Sequence, residues 1–478
     1  MKVARGGWKR EVAAAGRRVG ALVVCAAVLL GTAACAGARP AAAGHSAAGN
    51  RSVTLTWLIR NDLGQVQATW AQQTATAFEQ QNPGVQVRII SEPSAQYNTK
   101  FLSMYAAGDS PDVIGTYAGG FGTFYAHQVM ANISPYLKLL NVDLKTFMDS
   151  SVLGTMTRSG QLYGIPFSDP PTVLWYNATL FKKYHVPLPP VSWADHSWTI
   201  GTMLKDAQLL THAGSTPANK TWGLIFGPDD LGATAWLWGA DPFNNRGGPQ
   251  DSQAYQTGVA TQAYVDTGKF ATAMTWLGDL ITKWHVSPPA DVATEMGTVG
   301  GDPMMSGLIG MERVLITQTH VLAGSHPSFQ WGIAPIPYGP AGDLVPTAPS
   351  GWVVSQQSKN KLLATKFIVY LTVGAAGASY AKIGGYVPAN VRDRGVFFQK
   401  FASLPGNSQT LSADERVVNG GIAASQGWIY PQKIVNGGPQ WQNTFNNTLA
   451  NVWNGTESVA AGLSQLQKNF DSLLPQGA

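Results

Sequence analysis

The stretch GQLYGIPFSDPPTVLWYNATLF, residues 160–181, decides how the chain reads. Leu162 to Phe167 is a short apolar run interrupted by Pro166, which cannot donate to a sheet ladder and so marks an edge, a bulge or a strand exit. Ser168-Asp169-Pro170-Pro171 makes a corner. Thr172-Val173-Leu174-Trp175-Tyr176 is β-branched and aromatic, as strands are, and Asn177 is placed to cap a helix that starts around Thr179-Leu180-Phe181. The order strand, corner, strand, helix predicts that the chain changes direction here.

Toward the N-terminus the pattern is a repeated β-α-β. Val53, Leu55, Trp57 and Ile59 alternate with polar positions as in a strand, and a helix with Val66, Trp70, Thr74 and Phe78 on one face follows. Asn82-Pro83-Gly84 ends that helix, Val85, Val87 and Ile89 form a second strand, and Asp112-Val113-Ile114 begins a third after a helix carrying Phe101, Met104 and Tyr105. Repeated β-α-β means a parallel sheet with helices on its faces. Ligands sit beyond the carboxyl ends of such strands, which puts Arg60, Asn61, Asp62 and Tyr117 at a candidate cleft.

These segments, with NPGVQV and AAGDSPDVI in the opening unit, resemble the bacterial extracellular solute-binding proteins of family 1. Those are the carbohydrate-type receptors of ABC importers, related to maltose-binding protein. The likeness continues through the Pro/Trp-rich connector at 187–198, the strand pair at 310–316 and 331–337, Ser350-Gly351-Trp352-Val353-Val354, and Gly384-Gly385-Tyr386-Val387-Pro388. It implies an α/β, periplasmic-binding-protein-like fold: two discontinuous lobes joined by a three-strand hinge, with a ligand cleft between them. One lobe is expected from residues 51–167 and 337–386, the other from 168–336 and 387–478. The crossings would fall near Ile165-Pro166, Ile336-Pro337 and Val387-Pro388.

The first 35 residues read as an export leader. Lys2, Arg5, Lys9, Arg10, Arg17 and Arg18 precede an apolar run at 21–30, well short of the roughly 20 residues a spanning helix needs. Thr32-Ala33-Ala34-Cys35 resembles a lipoprotein box, with Cys35 the expected lipidation site and membrane anchor. Residues 36–50 read as a flexible tether. The leader holds six of the 32 Lys+Arg and one of the 27 Asp+Glu, so the remainder carries 26 of each. The apparent basicity belongs to the leader, and no nucleic-acid partner is expected. Both cysteines, Cys25 and Cys35, lie there too, so the exported domain relies on its core rather than on disulfides.

Catalytic and metal motifs are absent: there is no His-Glu-x-x-His, no phosphate-binding Gly-x-x-x-x-Gly-Lys and no nucleophile elbow. No cofactor or metal is expected. Asp62, Asp169 and Asp241 are the carboxylates that a polysaccharide-active enzyme could pair as acid and nucleophile, and the same groups serve equally as acceptors for sugar hydroxyls. Sixteen tryptophans suit a saccharide site, where aromatic planes cover C–H faces and a few polar groups fix orientation. Trp57 and Trp175 alternate inward on their strands and are expected in the core.

The resemblance implies ligand contacts at Asn61, Asp62, Tyr117 and Asp169 on one side. On the other it implies Trp236 or Asp241, Glu312 and Arg313, and a late aromatic, Trp428 or Trp441. Trp352 would line the first lobe's wall at the edge of the cleft. Gly119-Gly120 replaces an acidic-basic pair of the maltose-binding members, so maltodextrin specificity is not implied. The expected protein is a monomeric, lipid-anchored receptor on the extracellular face of the cytoplasmic membrane, passing a sugar or oligosaccharide to ABC permease subunits. A receptor for a peptide, polyamine or other polar solute would share the fold.

Overall fold

A computed structural model describes residues 52–117, 120–297 and 301–475. The leader, Cys25, Cys35, the tether and Gly119 lie outside the described residues. The strands are β1 (Val53–Arg60), β2 (Val85–Glu92), β3 (Val113–Thr116), β4 (Thr157–Arg158), β5 (Gln161–Leu162), β6 (Gly164–Ser168), β7 (Thr172–Asn177), β8 (Trp222–Ile225), β9 (Ile309–Leu315), β10 (Trp331–Ala334) and β11 (Ser350–Val354). They form two mixed sheets and a small hairpin, in the orders β2-β1-β3-β11-β6, β10-β7-β9-β8 and β4-β5.

In the first sheet β1 runs parallel to β2 and β3, while β11 returns antiparallel between β3 and β6. The carboxyl ends of β1 and β3 therefore share one edge with the start of β11 and the end of β6. In the second sheet β7 lies antiparallel to β10 and β9, and β8 parallel to β9. Strand β7 is buried throughout, and its period of two separates the cores: Val173 and Trp175 join one cluster, Leu174 and Tyr176 the other.

The corner between β6 and β7 is where the sequence places it. Asn177 caps the following helix (Ala178–Lys183) by accepting a hydrogen bond from the Leu180 amide at 3.0 Å. The helix Gly64–Gln81 buries Trp70, Thr74 and Phe78 as its periodicity predicts, but not Val66, which is 55% exposed. Gln67 takes the inner position instead and donates to the Tyr380 hydroxyl at 3.3 Å.

Trp352 departs from expectation. It is fully buried and packs edge-on against Trp57 at 5.4 Å, in a cluster where Trp57 also meets Trp70 and Phe367. The neighbouring Gly351 is not an opening for ligand. A Cβ there would lie 2.4 Å from the Met156 sulfur, so the missing side chain makes room for a core methionine. Trp352→Ala is therefore expected to cost about 3–5 kcal/mol of stability, read as a lower denaturant midpoint of the apo protein. Wild-type stability with lost ligand binding would return Trp352 to the cleft.

Candidate functional site

Three segments pass between the sheets, and their backbones pair with one another. Asp169 N donates to Val387 O (3.0 Å), Ala389 N to Phe167 O (3.2 Å), and Ala348 N to Pro170 O (3.1 Å). The late segment 428–430 joins them: Thr347 N donates to Trp428 O (2.9 Å) and Tyr430 N to Thr347 O (3.2 Å). A groove of about 610 Å³ opens beside this ladder, lined among others by Thr172, Asp229, Asp230, Arg313, Tyr430, Gln432, Lys433, Gln442 and Trp453.

The groove sets charged and amide groups among apolar ones such as Pro228, Val314, Leu315 and Ala348, and it is held in place. Arg313, its side chain only 3% exposed, forms an ion pair with Asp229. Asp229 has φ +60° and ψ −168°, a conformation almost confined to glycine, and Leu231 follows at φ +47°. Such backbone costs free energy and persists only where its surroundings fix it. Here the Asp229–Arg313 pair and a 2.7 Å bond from the Leu231 amide to Gln442 Oε1 do so. Asp230 accepts from the Gln432 amide at 3.1 Å, and the Tyr430 hydroxyl lies 2.7 Å from Thr172 Oγ1.

Burial moves the charges of this region toward neutrality. Desolvation pushes the pKa of Asp230 up to about 7, reinforced by Asp229, and that of Asp169 up to about 6. Desolvation lowers the Lys433 ammonium to about 8, although Asp230 and Asp169 oppose the shift. Arg60 from the end of β1 repels that ammonium. Lys433 is thus the point where groups from both sheets meet.

Of the expected contacts, one, Arg313, lines the groove. Asp169 is 1% exposed at the hinge, and neither of its carboxyl oxygens has a hydrogen-bond partner. Tyr117, also with an unpartnered hydroxyl, lies under Arg60, whose Cζ is 4.6 Å from its ring centre. Asn61 and Asp62 are solvent-facing after β1, and Asp62 pairs with Arg60 at 2.5 Å.

Others do not reach it. Trp236 and Asp241 are core: the indole donates to Asp241 Oδ2 at 2.9 Å, and the carboxylate also accepts from Tyr255 Oη (2.6 Å) and the Phe243 amide (2.9 Å). That network ties Asp241 into the core, where it is fully buried and out of reach of a ligand. Trp441 is buried against Phe243 and Phe470. Glu312 falls on the opposite face of β9 from Arg313, across from Trp175. Burial, and then Asp302, raise its pKa well above the usual range. Trp428 is half-buried on a different cavity. Trp453, Tyr430, Lys433, Asp229 and Asp230 were not foreseen; an Asp229-Asp230 pair just after a strand was the one available signal. Among the described residues no group of three or more His, Cys, Asp or Glu could hold a metal ion.

Two mixed sheets, a three-segment hinge and a groove beside it with charged, amide and aromatic lining define a two-lobed binding protein. Residues 62–376 match the bacterial extracellular solute-binding protein family, and the chain belongs to it. It is accordingly a binding protein and not an enzyme. It is 23% identical over 435 residues to a protein of Brucella abortus described as a binding protein, spanning 86% of this chain and 94% of that one. A galactooligosaccharide-binding protein of Bacillus subtilis is 28% identical over 184 residues, 38% of this chain and 40% of the relative. The fold matches that of an ABC substrate-binding protein from Listeria monocytogenes, solved in complex with cycloalternan, at a TM-score of 0.65 and 20% identity. That match covers 88% of this chain and 98% of the Listeria one.

The raised carboxyls make a pH prediction. An unfolded aspartate titrates near pH 4, whereas folded Asp230 holds its proton to about 7. Between those values the native state binds protons the unfolded chain has released, so this residue's contribution to stability is full below about pH 4 and is lost as pH rises toward 7. Asp230→Asn is expected to flatten the melting temperature across that window relative to wild type. An unchanged profile would place the Asp230 pKa near its ordinary value.

Proposed function

We propose that the chain captures a sugar or oligosaccharide between its lobes and hands it to the membrane permease of an ABC importer. In this reading, residues 51–167 with 337–386 and 168–336 with 387–478 close about the hinge, and ligand stabilises the closed state by its differential affinity. The observation that carries it is the groove beside the hinge. Trp453 and Tyr430 offer aromatic faces there, while Asp230, Gln432, Lys433 and Gln442 offer the donors and acceptors that orient hydroxyl groups. The saccharides named for the Listeria and Bacillus relatives favour the same class.

A thermal-shift screen of saccharides, peptides and polyamines tests this, followed by calorimetry of the best ligand. Trp453→Ala is expected to keep the apo melting temperature near wild type and to lose roughly thirty-fold in affinity, as truncation of an aromatic anchor worth about 2 kcal/mol would. A screen answered only by peptides or polyamines would replace the sugar reading with one of those.

Anchoring through Cys35 belongs to the same proposal. Cys35→Ala is expected to move the protein from the membrane fraction to the soluble one. Wild-type protein already wholly soluble in cells would refute the anchor.

A further inference from the structure

Arg158, on the hairpin strand β4, is a cation without a counter-ion. Among the described residues every other arginine is either solvent-exposed or paired with a carboxylate. Arg158 is neither. Its guanidinium sits 4.8 Å from the centre of the Phe121 ring, and Nη1 donates to the carbonyls of Thr157 (2.7 Å) and Thr155 (3.4 Å). Within the described residues Nε and Nη2 donate to nothing. Burial lowers its pKa to about 10, so it is still charged at neutral pH.

Arg158 lines a cavity of about 500 Å³, separate from the hinge groove. Ser151 and Ser159 line it from the segment leading into β6; Gln256, Gln426 and Trp428 line it from the segments packed on the second sheet. No aspartate or glutamate lines it. The nearest acidic neighbour in sequence, Asp149, is engaged by Arg394 at 3.2 Å. Two close backbone approaches bracket the cavity. Gly427, at φ +82°, would place a Cβ 2.5 Å from the Ser151 carbonyl oxygen, and a Cβ on Gly122 would meet the Ile434 carbonyl. Both approaches tie residues 122–151 to residues 427–434, and Ser151, Gly427 and Ile434 line the cavity.

An isolated guanidinium is suited to planar carboxylates, which it binds through two parallel N–H···O bonds. Hydroxyls, primary amides and a half-exposed indole complete the complement of a pyranose ring. We propose that this cavity is an acid-sugar subsite, in which the Nε and Nη2 edge of Arg158 takes the carboxylate of a uronate residue and Trp428 covers its ring. This rests on the saccharide reading above and narrows it to glycans that carry uronic acid.

The test is calorimetry of the full chain with digalacturonate, a panel of neutral disaccharides that includes galactobiose, and sodium acetate. It is run on wild type, Arg158→Met and Arg158→Lys, with melting temperatures confirming that each variant folds. Digalacturonate is expected to bind wild type, to weaken at least tenfold in Arg158→Met, and to be partly restored by Arg158→Lys, which keeps the charge but loses the fork. The affinity of any neutral sugar that binds should be the same in all three. Acetate binding as tightly as digalacturonate would mark an adventitious ion only and overturn the subsite. Digalacturonate binding unchanged in Arg158→Met, or neutral sugars binding where no uronide does, would also overturn it while leaving the saccharide reading intact. Wild type binding no sugar at all would end both.

Discussion

The backbone polar groups of the hinge must be satisfied away from both sheets, because an unpaired buried amide or carbonyl costs about as much as a lost hydrogen bond. The chain answers by pairing the crossing segments with one another, around Asp169, Thr347, Val387 and Tyr430. Much of the site follows from that pairing. It tethers the segment 428–430 to the hinge, and the Lys433 ammonium that follows comes to lie among groups from both sheets. It also encloses the Asp169 carboxyl with no hydrogen-bond partner. Burial favours the neutral form of that carboxyl and raises its pKa to about 6.

Conformational strain is concentrated beside that ladder. Asp229 and Leu231 sit at positive φ without being glycine, and the Arg313 ion pair and Gln442 hold them there. These ties reach from the loop after β8 to β9 and to the late helix Gly438–Trp453. The groove is therefore preorganised by three distant parts of the chain. A rigid site of this kind loses less entropy on binding than a loop that must order itself around its ligand.

The fold was legible because its signals are local. Trp57 and Trp175 alternate inward on strands and are buried, and the Pro-rich corner, the Asn177 cap and the β-α-β opening can each be read within a dozen residues. The surroundings of the groove were legible only next to such a signal: Asp169 lies buried at the corner and Arg313 lines the groove from its strand. Trp352 misled because a glycine before a tryptophan suits a cleft edge and a core equally well. What decides is Met156, nearly two hundred positions away in sequence, filling the space beside Gly351. Trp236 and Asp241 misled for a related reason. Their hydrogen bond spans five residues, but its burial depends on Tyr255 and on packing that no local pattern records. Lys433, Trp453 and Asp230 become neighbours of one groove only through the hinge topology.

The uneven burial of the tryptophans has a spectroscopic consequence. Most of those described, including Trp57, Trp175, Trp236, Trp331 and Trp352, are sealed in the two cores, where the indole environment does not depend on whether the lobes hold a solute. Trp453 on the hinge groove and Trp428 on the Arg158 cavity are half-buried. Trp193, Trp276 and Trp284 are half-buried too but line neither cavity, so Trp453 and Trp428 are the two partly exposed indoles that a solute in one cavity or the other would touch. Replacing either with phenylalanine would leave the other as a native optical reporter, able to show which of the two cavities a solute has entered without any added dye.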